Sequence, residues 1–229
     1  MTEAVAGGAA LADATEPGDG AEDPGVADIR ETETKGERTR RRLLEIAIER
    51  FGDRGYRATS VSEVARAAGL TQAAVYAYFP SKEALFDAAV DADAASALNE
   101  TMAKTLDTPA NALVPMMLFV LVGNMDRHPL VKRVLAGEES DALQRLIDLP
   151  ALADLTASIA TRVREAQVAG DVRSDLDPEL FSNGAEAILV SLLMSIVQVG
   201  SSTATRRQIG VVSIFDTLLR PPPPAPEKL

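Results

Sequence analysis

The chain of 229 residues has no cysteine, no tryptophan and a single histidine. Without cysteine there is no disulfide framework, thiol nucleophile or cysteine-held metal, and a reducing cytoplasmic setting is permitted. His128 precedes Pro129 in an expected turn with no nucleophile or metal-ligand spacing around it, so a structural role is expected. No GxGxxG, P-loop or paired-histidine motif occurs. Neither an enzyme nor a bound metal or cofactor is therefore expected. The longest apolar run, Ala112 to Val122 interrupted by Pro115, falls short of the roughly 18 residues of a membrane span. A signal peptide is not apparent, and the expectation is a soluble cytoplasmic protein with no membrane partner.

A deficit of positive charge, 23 basic against 34 acidic side chains and a net charge of −11, argues at first against nucleic acid. The distribution along the chain matters more than the sum. Residues 1–36 carry a net −7 and residues 91–229 a net −6, whereas residues 37–90 carry +2. Eight arginines of this basic segment, Arg38, Arg40, Arg41, Arg42, Arg50, Arg54, Arg57 and Arg66, fall within 29 residues. A solvated helix face and a nucleic-acid contact both fit that cluster.

Residues 1–35 lack aromatics and helical periodicity and read as a disordered acidic tail, while residues 221–229 form a Pro-rich tail that stops the preceding helix. The intervening pattern is helical throughout. Leu44, Ala47, Ile48 and Phe51 form one face of a first helix that Gly55 ends, with Tyr56 packing back. Ser60 and Glu63 have the spacing of a capping box for a second helix, with Val61, Val64, Ala65 and Ala68 inward. Gly69 ends that helix, Thr71 caps a third from Gln72 to about Tyr78, and Ser81 recaps a fourth that starts at Lys82. Two short helices across a glycine-containing turn, buttressed by a preceding helix, define a helix-turn-helix.

The segment from Thr59 to Phe86 resembles the DNA-binding motif of the tetracycline-repressor (TetR) family of bacterial regulators. Phe51, Gly55, Ala65, Gly69, Tyr76, Tyr78, Phe79, Ser81, Lys82 and Leu85 match the family pattern. The resemblance implies an all-α fold: a helix-turn-helix DNA-binding domain at 36–90 and a helical ligand-binding and dimerisation domain at 91–220. It also implies a homodimer on palindromic double-stranded DNA. Thr59 and Lys82 fall at helix N-termini, where a phosphate is favoured, and with Tyr76 and Tyr78 they match phosphate-contacting positions. Base reading falls to the third helix behind the Thr71 cap, through the Gln72 amide and the methyls of Ala73 and Ala74. Arg40 and Arg41 are candidates for the minor groove or backbone, with a solvated first turn as the alternative.

Past residue 91 only Phe119, Phe181 and Phe215 remain of the aromatics, so the interior there is aliphatic. Thr108 and Pro109 open a helix that Pro115 should kink, and kinks open space. Leu98, Leu106, Met116, Phe119, Val120, Leu155, Ile159 and Val163 are the candidate lining of a pocket for a small hydrophobic effector. Some relatives sense fatty acyl-coenzyme A, and few aromatics with many aliphatics suit a long acyl chain, placing the protein in lipid metabolism. Arg127, Lys132, Arg133 and Arg145 are candidates for a charged head group. Helix 178–199 is apolar on two faces, so Ile188, Leu192 and Ile196, with Val212, Phe215 and Leu219 of the last helix, are the candidate dimer contacts. A ligand-independent DNA-binding or architectural protein, or a sensor of another hydrophobic compound, remains open.

Overall fold

The computed structural model describes residues 34–200 and 204–221, and the side chains of all of these except 204–208. The expected acidic and Pro-rich tails lie outside the described residues apart from 34, 35 and 221, and Lys35 already belongs to the first helix. The described elements are helices: α1 (Lys35–Ala58), α2 (Val61–Ala68), α3 (Gln72–Tyr76), α4 (Lys82–Lys104), α5 (Ala110–Asn124), α6 (Pro129–Leu135), α7 (Leu143–Ile147), α8 (Pro150–Ala169), α9 (Pro178–Val199) and α10 (Ala204–Leu219). Single 3-10 turns at Met125–Arg127 and Ser140–Ala142 join α5 to α6 and lead into α7.

Apolar spacing sorts these helices around two cores. Leu43, Leu44, Ala47 and Phe51 of α1 meet Val64 of α2, Val75 of α3 and Leu85 of α4 in the first. Phe51 is fully buried, edge-on to Phe86 at 5.1 Å, and Tyr56 closes the aromatic trio at 5.0 Å from Phe86. Such pairs contribute about 0.5–1.5 kcal/mol beyond their buried area. The second core is mainly aliphatic, with Leu113, Met117, Leu155, Ile159 and Val163 among its most buried members.

Helices α4 and α6 bury residues in both cores. Leu85, Phe86, Ala89 and Val90 of α4 enter the first, and Ala94, Ala97 and Leu98 of the same unbroken helix enter the second. The change of character at residue 91 therefore falls inside a continuous helix. On α6, Leu130 and Val134 face the first core while Val131 and Leu135 face the second. Buried Asp93 on α4 fixes α6 in place: its Oδ2 accepts the N–H groups of Leu130 and Val131, each at 3.0 Å, and its Oδ1 lies 2.9 Å from Nδ1 of buried His128. A carboxylate at the N-terminus of a helix satisfies donors that have no partner within the helix.

Gly55 does not end α1 outright. It adopts φ 80°, ψ 169°, and one further turn follows. A Cβ there would lie 2.7 Å from Glu139 Oε1, and the N–H of Tyr56 donates to that same oxygen at 2.8 Å. Both left-handed backbone and close approach therefore require glycine.

Several expectations for the second core change. Thr108 does not cap α5: Pro109 is the capping residue without a side-chain bond, and the carbonyls of Thr105 and Thr108 accept from the Arg162 guanidinium instead. The helix continues through Pro115. Phe215 and Leu219 are 1% and 0% exposed, with Phe215 edge-on to Phe181 at 5.6 Å. They belong to the interior of the subunit and not to a dimer face. Helix α9 is long and apolar enough to cross a membrane by length and composition; it buries Phe181, Ser182, Ala185, Leu189 and Leu193 within the protein and leaves most of its apolar surface only partly covered or exposed.

Asp93→Ala is expected to destabilise the protein by about 3 kcal/mol or more, because two buried N–H groups and His128 lose their acceptor. Thermal melts of Asp93→Ala beside Asp126→Ala, which removes only an exposed pair with Lys132, check this: the first drops Tm by many degrees and the second leaves it nearly unchanged.

Candidate nucleic-acid interface and internal cavity

The turn between α2 and α3 is built by local hydrogen bonds. Ser60 Oγ accepts the Glu63 N–H at 3.2 Å and Glu63 Oε2 accepts the Ser60 N–H at 2.9 Å, the reciprocal capping box. The bond from the Ser60 backbone, followed by that from its hydroxyl, holds the Glu63 carboxyl below its ordinary pKa. The cap is therefore complete above the ordinary carboxylate range and is lost as acid protonates Glu63. Gly69 closes α2 in the left-handed conformation at φ 72°. Thr71 Oγ1 then caps α3 by accepting the Ala74 N–H at 3.2 Å.

Helix α3 has five residues and buries only Val75. Gln72, Ala73, Tyr76 and Ala77 are therefore left on the surface, whereas Ala74, expected to offer a methyl to thymine, is partly covered. A chain of polar contacts organises this face. Ser62 Oγ donates to Gln72 Oε1 at 2.8 Å, and Gln72 Nε2 donates to Tyr76 Oη at 3.3 Å. The Tyr76 hydroxyl keeps its proton to donate, and the Gln72 amide keeps one N–H and one lone pair. Ser62 had no signal in the sequence, since its partner lies ten residues away across a turn whose angle only the fold sets.

The remaining positions divide. Lys82 opens α4 with its ammonium 4.4 Å from the centre of the Tyr56 ring, and Tyr78 is half-buried against the first core. Arg40 lies exposed with its guanidinium 5.0 Å from the Phe79 ring centre, and Arg41 pairs with Glu45 at 3.8 Å. Thr59 departs from its expected role: it is 2% exposed and its hydroxyl donates to the carbonyls of Gly55 at 2.9 Å and Arg50 at 3.1 Å. Those bonds tie the end of α1 to the start of α2, so the hydroxyl does not face a phosphate.

Away from this surface, α4, α6, α7, α8 and α9, with Leu121 of α5, line a partly open cavity of about 80 Å³. Leu98 and Leu155 line it as expected, with Val131, Leu135, Leu189 and Leu193. The other candidates do not. Ile159 and Val163 are fully buried in the surrounding core. Leu106, Met116 and Phe119 are 69%, 39% and 74% exposed, and half-buried Val120 also lies off the lining. Helix α5 is apolar on all sides and its inward face proves to be Leu113, Val114, Met117, Leu118 and Leu121. None of the lining residues is cationic. Arg127 pairs with Glu100 at 2.8 Å, Lys132 with Asp126 at 2.6 Å, Arg133 with Glu138 at 2.8 Å, and Arg145 with Asp91 at 2.6 Å and Asp87 at 3.2 Å. The expected head-group cations are thus engaged elsewhere.

The described residues thus combine a buttressed helix-turn-helix that has an outward polar face with a helical body that has an apolar cavity. Residues 43–89 match the family model of bacterial regulatory proteins, tetR family. Over 53 residues the chain is 47% identical to the HTH-type transcriptional regulator YdgC of Bacillus subtilis (strain 168), a match covering 23% of this chain and 27% of that protein. The alignment thus spans about a quarter of that relative's length. Among solved structures, a chain studied for the molecular basis of control of antibiotic production by bacterial hormones is 28% identical, with TM-score 0.60 over 80% of this chain and 98% of its own. A TetR transcriptional regulator from Chloroflexus aurantiacus J-10-FL is 24% identical, with TM-score 0.63 over 81% and 98%. Residues 43–89 are thus similar to the tetR family, and the chain has the fold of these solved structures.

Thr59→Val is expected to lower stability by about 1–2 kcal/mol through the lost hydroxyl bonds while leaving the salt dependence of DNA binding unchanged. Lys82→Ala should do the reverse, keeping Tm and reducing the slope of log affinity against log salt by about 1. Thermal melts and salt titrations of both variants check this.

Proposed function

We propose that the protein is a homodimeric, effector-responsive transcriptional regulator that binds a palindromic site in double-stranded DNA. The observation that carries this reading is α3 itself: a five-residue helix that buries Val75 and presents Gln72 and Tyr76 outward, within the segment that matches the tetR family. One such helix reads few bases, and a two-fold dimer reads two half-sites. In this reading Gln72 and Ala73 meet base edges behind the Thr71 cap. Tyr76, Tyr78, Lys82, Arg40 and Arg41 hold phosphates.

The dimer face we infer is the outward side of α9 with part of α10. Ile188 is 37% and Val212 43% exposed, and Leu192 and Ile196 are partly covered. Buried Phe215 and Leu219 support that face from behind.

The cavity supports effector response because α4 and α6 each line it with one part and build the first core with another. A ligand that favours one position of these helices shifts the spacing of the two α3 helices in the dimer. An acyl chain fits the aliphatic lining, but the coenzyme A head group finds no free cation among the lining residues. Long-chain acyl-coenzyme A is therefore not the effector we favour.

Affinity for a selected palindrome should fall about a thousandfold between about 50 and 200 mM salt. Gln72→Ala should cost about 1–3 kcal/mol on the preferred sequence and little on others. Leu192→Glu should give a folded monomer by analytical ultracentrifugation, whereas Phe215→Glu should fail to fold. A salt-independent affinity, or an unchanged dimer for Leu192→Glu, would sink the reading.

A further inference from the structure

Ser62 has no part in the phosphate and base contacts proposed above, yet its hydroxyl touches the side chain that reads bases in that proposal. Ser62 on α2 is exposed, as are Gln72 and Tyr76 on α3. Helix α2 does not use this hydroxyl for its own cap, which Ser60 and Glu63 complete. The Ser62 hydroxyl crosses the turn and donates to Gln72 Oε1 at 2.8 Å, while Gln72 Nε2 donates to Tyr76 Oη at 3.3 Å. Both ends of one amide are thereby tied, from two helices, on a surface where a glutamine held by nothing samples many rotamers.

Resting on the DNA-binding reading above, we propose that Ser62 is a positioning residue that sets what Gln72 reads, selecting adenine over guanine at the base pair it faces. An amide carries two lone pairs on oxygen and two N–H groups. With one of each engaged by Ser62 and Tyr76, Gln72 presents one acceptor beside one donor. Adenine offers the complement in the major groove, an acceptor at N7 beside an amino donor at N6, whereas guanine offers two acceptors at N7 and O6. Against guanine the tied amide oxygen meets O6 with no proton between them, and both lose their hydration without a partner. The order of the two amide ends is set from the phosphate side. Either hydroxyl can serve either end of the amide, but once Tyr76 gives its proton to a phosphate its oxygen only accepts, so it takes Nε2 and leaves Oε1 to Ser62. That is the arrangement of the structure without DNA. The run from phosphate through Tyr76 and Gln72 to Ser62 thus links a backbone contact to the choice of base, and the amide is oriented before DNA arrives.

The test uses the full chain. Sites are selected from random double-stranded DNA, and the position at which Gln72→Ala relaxes base preference is located by competition binding. At that position the protein should bind adenine about tenfold or more tighter than guanine. Ser62→Ala should remove most of that ratio while keeping Tm and the salt slope, since the hydroxyl is exposed and makes no phosphate contact. Ser62→Thr, which keeps a hydroxyl, should retain the ratio. In a Gln72→Ala background Ser62→Ala should change no base preference, because the amide it acts through is gone. Guanine bound as tightly as adenine by the unmodified protein, a ratio that survives Ser62→Ala, an equal loss on every sequence, or no position that Gln72→Ala relaxes would overturn the proposal. Failure to select any site overturns the regulator reading itself, whereas a selected palindrome whose adenine preference is indifferent to Ser62 overturns only the positioning role.

Discussion

Asp93 fixes the relation between the two halves of the molecule. Its carboxylate sits on the middle of α4, buried, and accepts the first free N–H groups of α6. That bond sets where α6 lies along α4, and the position of α6 decides what both cores contain. Leu130 and Val134 pack beneath the helix-turn-helix, and on the other side of the same seven-residue helix Val131 and Leu135 wall the cavity. A short helix with both faces occupied cannot shift toward one core without loosening the other.

The contact of α6 with α1 has the same tightness. Gly52 lies against Pro129, where a Cβ would come within 2.7 Å of the Pro129 Cβ, and the break at Gly55 is filled by Arg133 and Glu139. Arg133 and Glu139 are themselves paired at 3.3 Å, and Glu139 also takes the Tyr56 N–H. Close backbone approach and a shared carboxylate couple the buttress of the helix-turn-helix to the cavity wall through adjoining atoms. Such packing passes a displacement of α6 to α1 with little slack, which is the mechanical basis for effector response in the proposed function.

The interface face shows a contrasting economy. Helix α3 is too short to hold itself together and depends on Thr71, on Val75 in the core and on the polar chain from Ser62 through Gln72 to Tyr76. The contact that orients its outward Gln72 comes from Ser62 of its neighbour α2, so in the proposed function base preference and local stability share residues there. Thr59 serves the fold, since its hydroxyl joins α1 to α2.

What the sequence determined by itself was local. The capping box at Ser60 and Glu63, the Thr71 cap and the starts of α4 and α9 follow from side chains bonding to backbone a few residues away, the turn at Gly69 from a left-handed glycine and the start of α8 from Pro150 at its first position. The helix-turn-helix was legible for that reason, and so was its likeness to the tetR family. Tertiary structure alone decided which face of each apolar helix turns inward. Helix α5 is apolar on every side, so nothing in its periodicity separates exposed Phe119 from buried Leu118. Phe215 and Leu219, candidate dimer contacts by their apolar spacing, are covered instead by Phe181 and the second core of their own chain. The pairing of Arg127 with Glu100 and of Arg145 with Asp87 and Asp91 likewise arises between residues far apart in the chain, where spacing along the sequence carries no information about distance in space.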